Sequence, residues 1–300
     1  MKSRRVPAAV LALGAIAAIC VSASSAGTRR PAASGTVKVL YAGSLVNVME
    51  KKIGPAFSQA TGYGYQGFGA GSKQVASEIK SKLIQGDVFI SAAPSVNDTL
   101  RGTANGNWVT WYGEFASAPL VIGYSPQSKF ASSFKTQHWW KILTTPGILL
   151  GRTDPVLDPK GVLTIQFINR ASKTLKMPNL LAQTLGTAEN TSQIFPEQTL
   201  LGRLEAGQLD AGFFYSIEAI EAGIPYVAPP LGKHYSALYT VTILNNAPNP
   251  AGALAFVRYL LGRQGLAILK GDGFHLLNGL LGGDAGTIPP SVKTLLTKKG

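Results

Sequence analysis

The 300 residues are 45% hydrophobic and only 14% charged, with a net charge of +13, one cysteine and three histidines. Such a chain can bury a large core, and its 34 glycines and 18 prolines stay below the share that marks low-complexity sequence. These figures exclude a disordered protein, a disulfide-stapled mini-domain and a metal-nucleated finger, and the cation excess points to an anionic partner.

The chain starts with Lys2, Arg4 and Arg5, then sixteen uncharged residues, Val6–Val21, then a small polar stretch ending at Ala26. A cationic start, a short apolar run and a Ser-x-Ala end describe a secretory signal peptide over 1–26, too short to span a bilayer. The predicted location is therefore periplasmic or cell-surface. Cys20 offers an alternative, a lipid anchor, but Ile19 stands before it where lipoprotein signals want a small residue. Three of the 28 cations and none of the 15 acids fall in residues 1–26, so cleavage leaves a charge of +10.

A polar leader over 27–36 precedes the first regular pattern. Val37–Tyr41 reads as a strand, and Ser44 as the cap of a helix kinked at Gly54-Pro55. Tyr65–Phe68 is the next strand, and Ser72 caps a helix with Val75, Ile79 and Leu83 on one face. Asp87–Ser91 is a third strand, so strand–turn–helix repeats, the sign of βαβ units and a parallel sheet. Ala116–Pro119 reads as a turn before an apolar strand, Leu120–Tyr124. Helices follow near 137–143, 162–175 and 199–206, with strands near 148–151, 211–215 and 239–244. Asn249 and Pro250 open a helix running to Leu261.

Gly43-Ser44 and Gly71-Ser72 each join a strand to a helix start, where free N–H groups and the helix dipole attract anions. Glycine lets a ligand approach the backbone, the serine hydroxyl adds a donor, and ligands of open α/β sheets lie beyond the carboxyl ends of the strands. Helix capping and turn chemistry explain either motif alone. His138, His234 and His275 have no metal-binding spacing and read as surface or packing residues. Asp154 and Asp158, each before a proline, read as a turn and the cap of a helix beginning beyond Lys160. Trp139-Trp140 reads as a helix anchor, and no basic stripe interleaves with the tryptophans, so nucleic acid is not an expected partner.

Val37–Leu45, Gly69–Ser72, Gly86–Ala92, Gly151–Gly161, Leu204–Tyr215 and Asn249–Leu260, in this order, resemble the molybdate/tungstate-binding components of ABC transporters, the ModA/WtpA-like extracellular solute-binding proteins. The resemblance runs from about Val37 to Phe274. It implies an α/β, two-lobed periplasmic-binding-protein-like fold (type II), each lobe a mixed, mainly parallel sheet flanked by helices, with a hinge between lobes. Lobe 1 would comprise 37–117 and 238–300, and lobe 2 would comprise 118–237. It further implies a monomer that is not an enzyme, needs no cofactor and delivers its anion to a membrane permease. By this resemblance Ser44 and Ser72, beside Gly43 and Gly71, donate from lobe 1. Tyr215 donates from lobe 2, with backbone N–H groups of Asp158–Gly161 and near Thr191–Ile194. Some tungstate-type relatives complete an octahedral metal centre with two carboxylates. Asp158 matches one, but Phe214 stands where the other is expected, which favours a donor-only tetrahedral site without Lys or Arg.

Molybdate and tungstate offer only acceptors near neutral pH, so a cleft of donors leaves a protonated phosphate donor unpaired, at about 1–3 kcal/mol. The positive surface then serves encounter rate. Two alternatives stay open: the same fold with sulfate, phosphate, ferric iron or an organic anion, and a secreted hydrolase using Ser44 or Ser72 with a histidine base.

Overall fold

A computed structural model describes residues 35–277 and 279–297. The expected signal segment 1–26 with Cys20, and the leader as far as Ser34, lie outside the described residues. Thr36, assigned above to the leader, already belongs to the first strand. No helix among the described residues is long and apolar enough to cross a membrane.

Ten strands are present: β1 (Thr36–Ala42), β2 (Gly64–Ala70), β3 (Val88–Ser91), β4 (Trp111–Tyr124), β5 (Leu150–Gly151), β6 (Ala211–Tyr215), β7 (Tyr226–Val227), β8 (Ser236–Ile243), β9 (His275–Leu276) and β10 (Leu281–Gly283). Their order is β2-β1-β3-β8-β4-β6-β5, with the short β7, β9 and β10 beside β4. β1 runs parallel to β2 and β3, as the strand–turn–helix repeats require, and β5 is parallel to β6. β8 is antiparallel to β3 and β4, and β4 to β6. The chain thus forms the expected mixed α/β sheet, with a smaller parallel share than its sequence suggests, because β8 runs against both β3 and β4, and β4 runs against β6.

Ala116–Pro119 is not a turn. It lies inside β4, paired with Ser236–Tyr239 after a bulge between Glu114 and Ala116. The turn preference of Ser117 and Pro119 yields to β8, a partner far along the chain that no local pattern reveals. Pro119, lacking an N–H, stands where the pairing of β4 passes from β8 to β6.

The chain leaves β1 through a 3-10 turn, Gly43–Leu45, then Val46–Val48, a π turn Met49–Ile53 and the helix Gly54–Thr61. Pro55 has no N–H for the ladder, and the expected kink takes the form of that π turn, Gly54 N–H donating to Met49 O. The helix Ser72–Lys80 buries Val75 and Ile79 as predicted. Leu83 falls beyond it and is 79% exposed, because Lys82 turns left-handed (φ 60°) and ends the helical face. The helix Pro250–Leu260 starts where expected, Asn249 Oδ1 accepting from Gly252 N–H at 3.0 Å. Phe256 of this helix packs edge-on against Phe57 with ring centres 5.1 Å apart. Each such burial contributes about 1.5–3 kcal/mol, which locks both helices over β1. Trp139 is buried 5.1 Å from the Phe167 ring, and the exposed His138 stacks on Trp140. The tryptophan pair thus anchors its helix to the core.

Candidate functional site

β1 and β2 end side by side, so the turns Gly43-Ser44 and Gly71-Ser72 meet at one edge of the sheet. Both serines are buried. Neither caps its helix: the N-cap residues are Ala42 and Gly71, and no side-chain cap bond forms. Instead the hydroxyls turn toward the sheet. Ser44 Oγ lies 2.9 Å from the Tyr239 hydroxyl of β8, and Ser72 Oγ accepts from Ala92 N–H at 3.1 Å. Burial holds the Tyr239 phenol well above its usual range, so it stays protonated and can donate to Ser44. Each serine then keeps its own O–H for another acceptor.

Segments from 152–218 lie opposite these turns, with Glu197 next to Gly43 and Leu157 next to Gly71. Asp158 caps the helix Pro159–Leu175, which begins two residues earlier than the sequence suggests. Its Oδ1 accepts from Lys160 N–H at 2.8 Å and from Thr153 Oγ1 at 3.0 Å. Its Oδ2 is buried and has no hydrogen-bond partner among the described residues. Tyr215, at the end of β6, is fully buried, and its hydroxyl also lacks a partner. Tyr215 N–H donates to Glu218 Oε2 at 2.7 Å, which fixes the start of the helix Ser216–Ala222.

Two residues that the sequence did not single out complete that side. Glu197 opens the helix Glu197–Glu205 directly after Pro196, and neither of its buried carboxylate oxygens has a hydrogen-bond donor. Lys160, fully buried, donates to both oxygens of Glu218 (2.8 and 2.9 Å) and lies 3.3 Å from Glu197 Oε1. Burial opposes its charge, but Glu218, Glu197 and Asp158 together raise its pKa above the lysine range, so it is an ammonium. Burial first, and then the charge of Asp158, push the Glu197 carboxyl well above the carboxylate range, while Lys160 pulls it back. The same burial and surrounding acids keep Tyr215 protonated.

Several expectations change here. A buried lysine, Lys160, and a second buried acid, Glu197, stand close to the predicted residues, Glu197 coming from a different element than Phe214. Phe214 is buried on the opposite side of β6 from Tyr215, as strand alternation demands, and packs with Leu200 and Leu204. Gly43 and Gly71 serve close approach between the two halves. A Cβ on Gly43 would lie 2.8 Å from Glu197 Oε2, and one on Gly71 would lie 2.6 Å from Leu157 O. In the loop 191–194, Ser192 and Gln193 N–H groups bond to Asn190, so they are committed inside the loop. Arg152 pins that loop, its guanidinium donating to Thr187 and Ala188 carbonyls. Only Pro196-Glu197, an ordinary helix start, marked Glu197 in the sequence, and nothing local marked Tyr239.

A cavity of about 120 Å³ runs between Gly71, Asp158 and Glu197, and one of about 420 Å³ between Ser44, Glu197 and Glu218. Glu197 stands at the junction. Ser44 lines the larger cavity and Asp158 the smaller, with Glu197 in both. Ser72 and Tyr215 line neither, although Gly71 beside Ser72 lines the smaller one and the Tyr215 ring lies 6.3 Å from that of Tyr239, the partner of Ser44. Among the described residues no three His, Cys, Asp or Glu side chains are disposed to hold a bare metal ion. All three histidines are exposed, and the partners of Ser44 and Ser72 are Tyr239 and Ala92, so no serine–base pair is formed.

Residues 37–275 match the family described as bacterial extracellular solute-binding protein. The chain belongs to that family. An ABC transporter molybdenum-binding protein of Haloferax volcanii is 31% identical over 86% of this chain and 77% of its own length. The molybdate/tungstate-binding protein WtpA of Thermococcus kodakarensis is 25% identical over 96% and 95%. Among solved structures, the periplasmic molybdate-binding protein of Azotobacter vinelandii superposes with a TM-score of 0.61 at 20% identity, covering 80% of this chain and all but 1% of that one. The fold is therefore that of the periplasmic binding proteins, and the family is one of extracellular solute-binding proteins.

Proposed function

We propose that this solute-binding protein captures molybdate or tungstate between its two halves and hands it to a membrane permease. The observation that carries this reading is the set of buried atoms without a hydrogen bond: Tyr215 Oη, Asp158 Oδ2 and the carboxylate oxygens of Glu197, of which Oε1 has only its ion pair with Lys160. A donor-only cleft suits any small dianion. A cleft that adds two carboxylates repels a dianion unless its central atom takes them as ligands. Molybdenum and tungsten centres can expand beyond four oxygens, whereas the sulfur of sulfate and the phosphorus of phosphate do not. In this reading the oxo groups accept from Ser44, Ser72 and Tyr215, and Asp158 and Glu197 approach the metal. Lys160 and Glu218 hold Glu197 and the Tyr215 backbone in place. The protein works as a monomer whose halves, 37–117 with 238–300 and 118–237, close over the ion.

Two measurements test it. Elemental analysis of protein exposed to molybdate, tungstate and sulfate together is expected to find one molybdenum or tungsten per chain. Sulfate alone would point to the second anion class. X-ray absorption of the tungstate complex is expected to show six oxygen neighbours, and a shell of four would return the site to the donor-only form. The donors make a further pair of predictions. Ser44→Ala and Ser72→Ala should each weaken tungstate binding by about 1–2 kcal/mol. Tyr215→Phe should weaken it similarly while leaving the ligand-free protein no less stable, since it removes a buried hydroxyl that has no partner. Calorimetric titration and ligand-free melting read the two effects separately.

A further inference from the structure

The 420 Å³ cavity extends beyond Ser44 and Glu197 to a second buried acidic contact that the oxyanion reading does not use. Glu221, on the helix Ser216–Ala222 of the second half, lines its far end, and both its carboxylate oxygens are buried without a partner. Asp272, which ends the helix Arg263–Gly271 in the first half and is 7% exposed, is near enough for its charge to act on Glu221. Asp272 Oδ1 is paired with Lys52, from the π turn, while Oδ2 has no partner. Their sequence neighbours touch: a Cβ on Gly273 would lie 2.7 Å from Ile220 Cδ1. Two acids from the two proposed halves thus act on each other, with one half-exposed lysine bound to only one of them.

We propose that Glu221 and Asp272 form a proton latch across the cleft, so that closing the two halves over the ligand takes up a proton at Glu221 and losing that proton favours opening. The proposal rests on the closure reading given above. The groups facing Glu221 are Asp272 from the end of the Arg263–Gly271 helix, Lys52 and Lys51 from the π turn, and Glu218 one turn back on its own helix. Burial is the largest influence on Glu221 and the charge of Asp272 the next. Both raise its pKa, the two lysines offset them in part, and the result is about 8. In an opened cleft the same carboxyl meets water and returns toward the ordinary range near 4.5. Between these limits the closed form holds a proton that the open form releases. Ligand affinity then falls about tenfold for each pH unit over that window and levels off above it, because the proton is bound by the state that binds the ligand.

The test is calorimetric titration of tungstate into the full chain at pH 7 in buffers of different ionisation enthalpy. Protons exchanged at Glu197 appear equally in the wild type and in Glu221→Gln, so the difference between the two isolates the latch. The wild type is expected to take up about one proton more per tungstate than Glu221→Gln. Asp272→Asn should move the pH dependence of affinity to lower pH. Equal proton counts in the wild type and Glu221→Gln would overturn the latch. If tungstate does not bind at all, the functional reading fails, and small-angle X-ray scattering of the ligand-free chain still decides the latch, because loss of the proton favours the open form. The wild type is expected to expand between pH 5 and pH 8, while Glu221→Gln keeps one radius of gyration across that range. The same pH response in both chains overturns the proposal.

Discussion

Replacing Lys160 with methionine is expected to destabilise the ligand-free protein by about 3–5 kcal/mol at pH 7, the largest stability effect of any single change at the site. The lysine is fully buried and carries the only cationic contacts of Glu218 and Glu197 among the described residues. Methionine fills the same channel beside the Phe214 and Tyr215 rings, over which the ammonium sits at 5.7 and 5.3 Å. Packing is therefore kept, and what is lost is the compensation of two carboxylates in a dry place. Glu218 is then buried without its counter-charge, and Glu197 loses the one influence that offsets its burial, so the loss should grow from pH 5 to pH 8. Pairing Lys160→Met with Glu218→Gln should recover most of it, because the glutamine oxygen still accepts from Tyr215 N–H without needing a counter-charge. Urea denaturation of the three variants reads this directly. A loss below 1 kcal/mol in the single variant would mean that the acids are already neutral and that Lys160 is held by packing.

The second large effect concerns selectivity, and it should have opposite signs for two anions. Glu197→Gln preserves side-chain volume at the junction of the two cavities and removes one carboxylate. Disturbing a residue that merely supports a metal ligand costs about 10–100-fold in affinity, so losing the ligand itself should weaken tungstate binding by at least about 100-fold. Sulfate should bind more tightly to Glu197→Gln than to the wild type. The amide can donate to a sulfate oxygen at any pH, whereas Glu197 donates only while protonated and repels the anion once it ionises, so the gain should grow as pH rises. The change also removes one of the two acids that Lys160 must serve. Competitive titration of tungstate and sulfate checks both halves of the statement. A variant that loses both anions equally would show that Glu197 only shapes the cleft.

The parts of this molecule that were legible in its sequence are those built from near neighbours. β1, β2, β3 and β6, the helix caps at Asn249 and Asp158, and the strand-to-helix turns at Ser44 and Ser72 all follow from patterns a few residues long. The roles of the two serines were only half readable. Their position follows from strand–turn–helix spacing, but their hydrogen bonds go to Tyr239 and Ala92, which lie on strands and turns set by distant pairing. Ala116–Pro119 was misread for the same reason, since its extended form depends on β8. Glu197 was hidden by its local normality. An acid after a proline at a helix start is an ordinary stabilising choice, and only the approach of Gly43 from the other half gives it a second function.

The position of β8 also bears on the route by which such a chain is delivered. β8 fills the gap between β3 and β4, yet it is made long after both, so a growing chain has two strand edges with nothing between them. Pairings between residues this far apart form slowly, and a polypeptide that lacks its middle strand cannot close its core. For a protein of an extracellular family this delay is useful. Most of the chain stays open and threadable, and the sheet is completed only once Ser236–Ile243 becomes available.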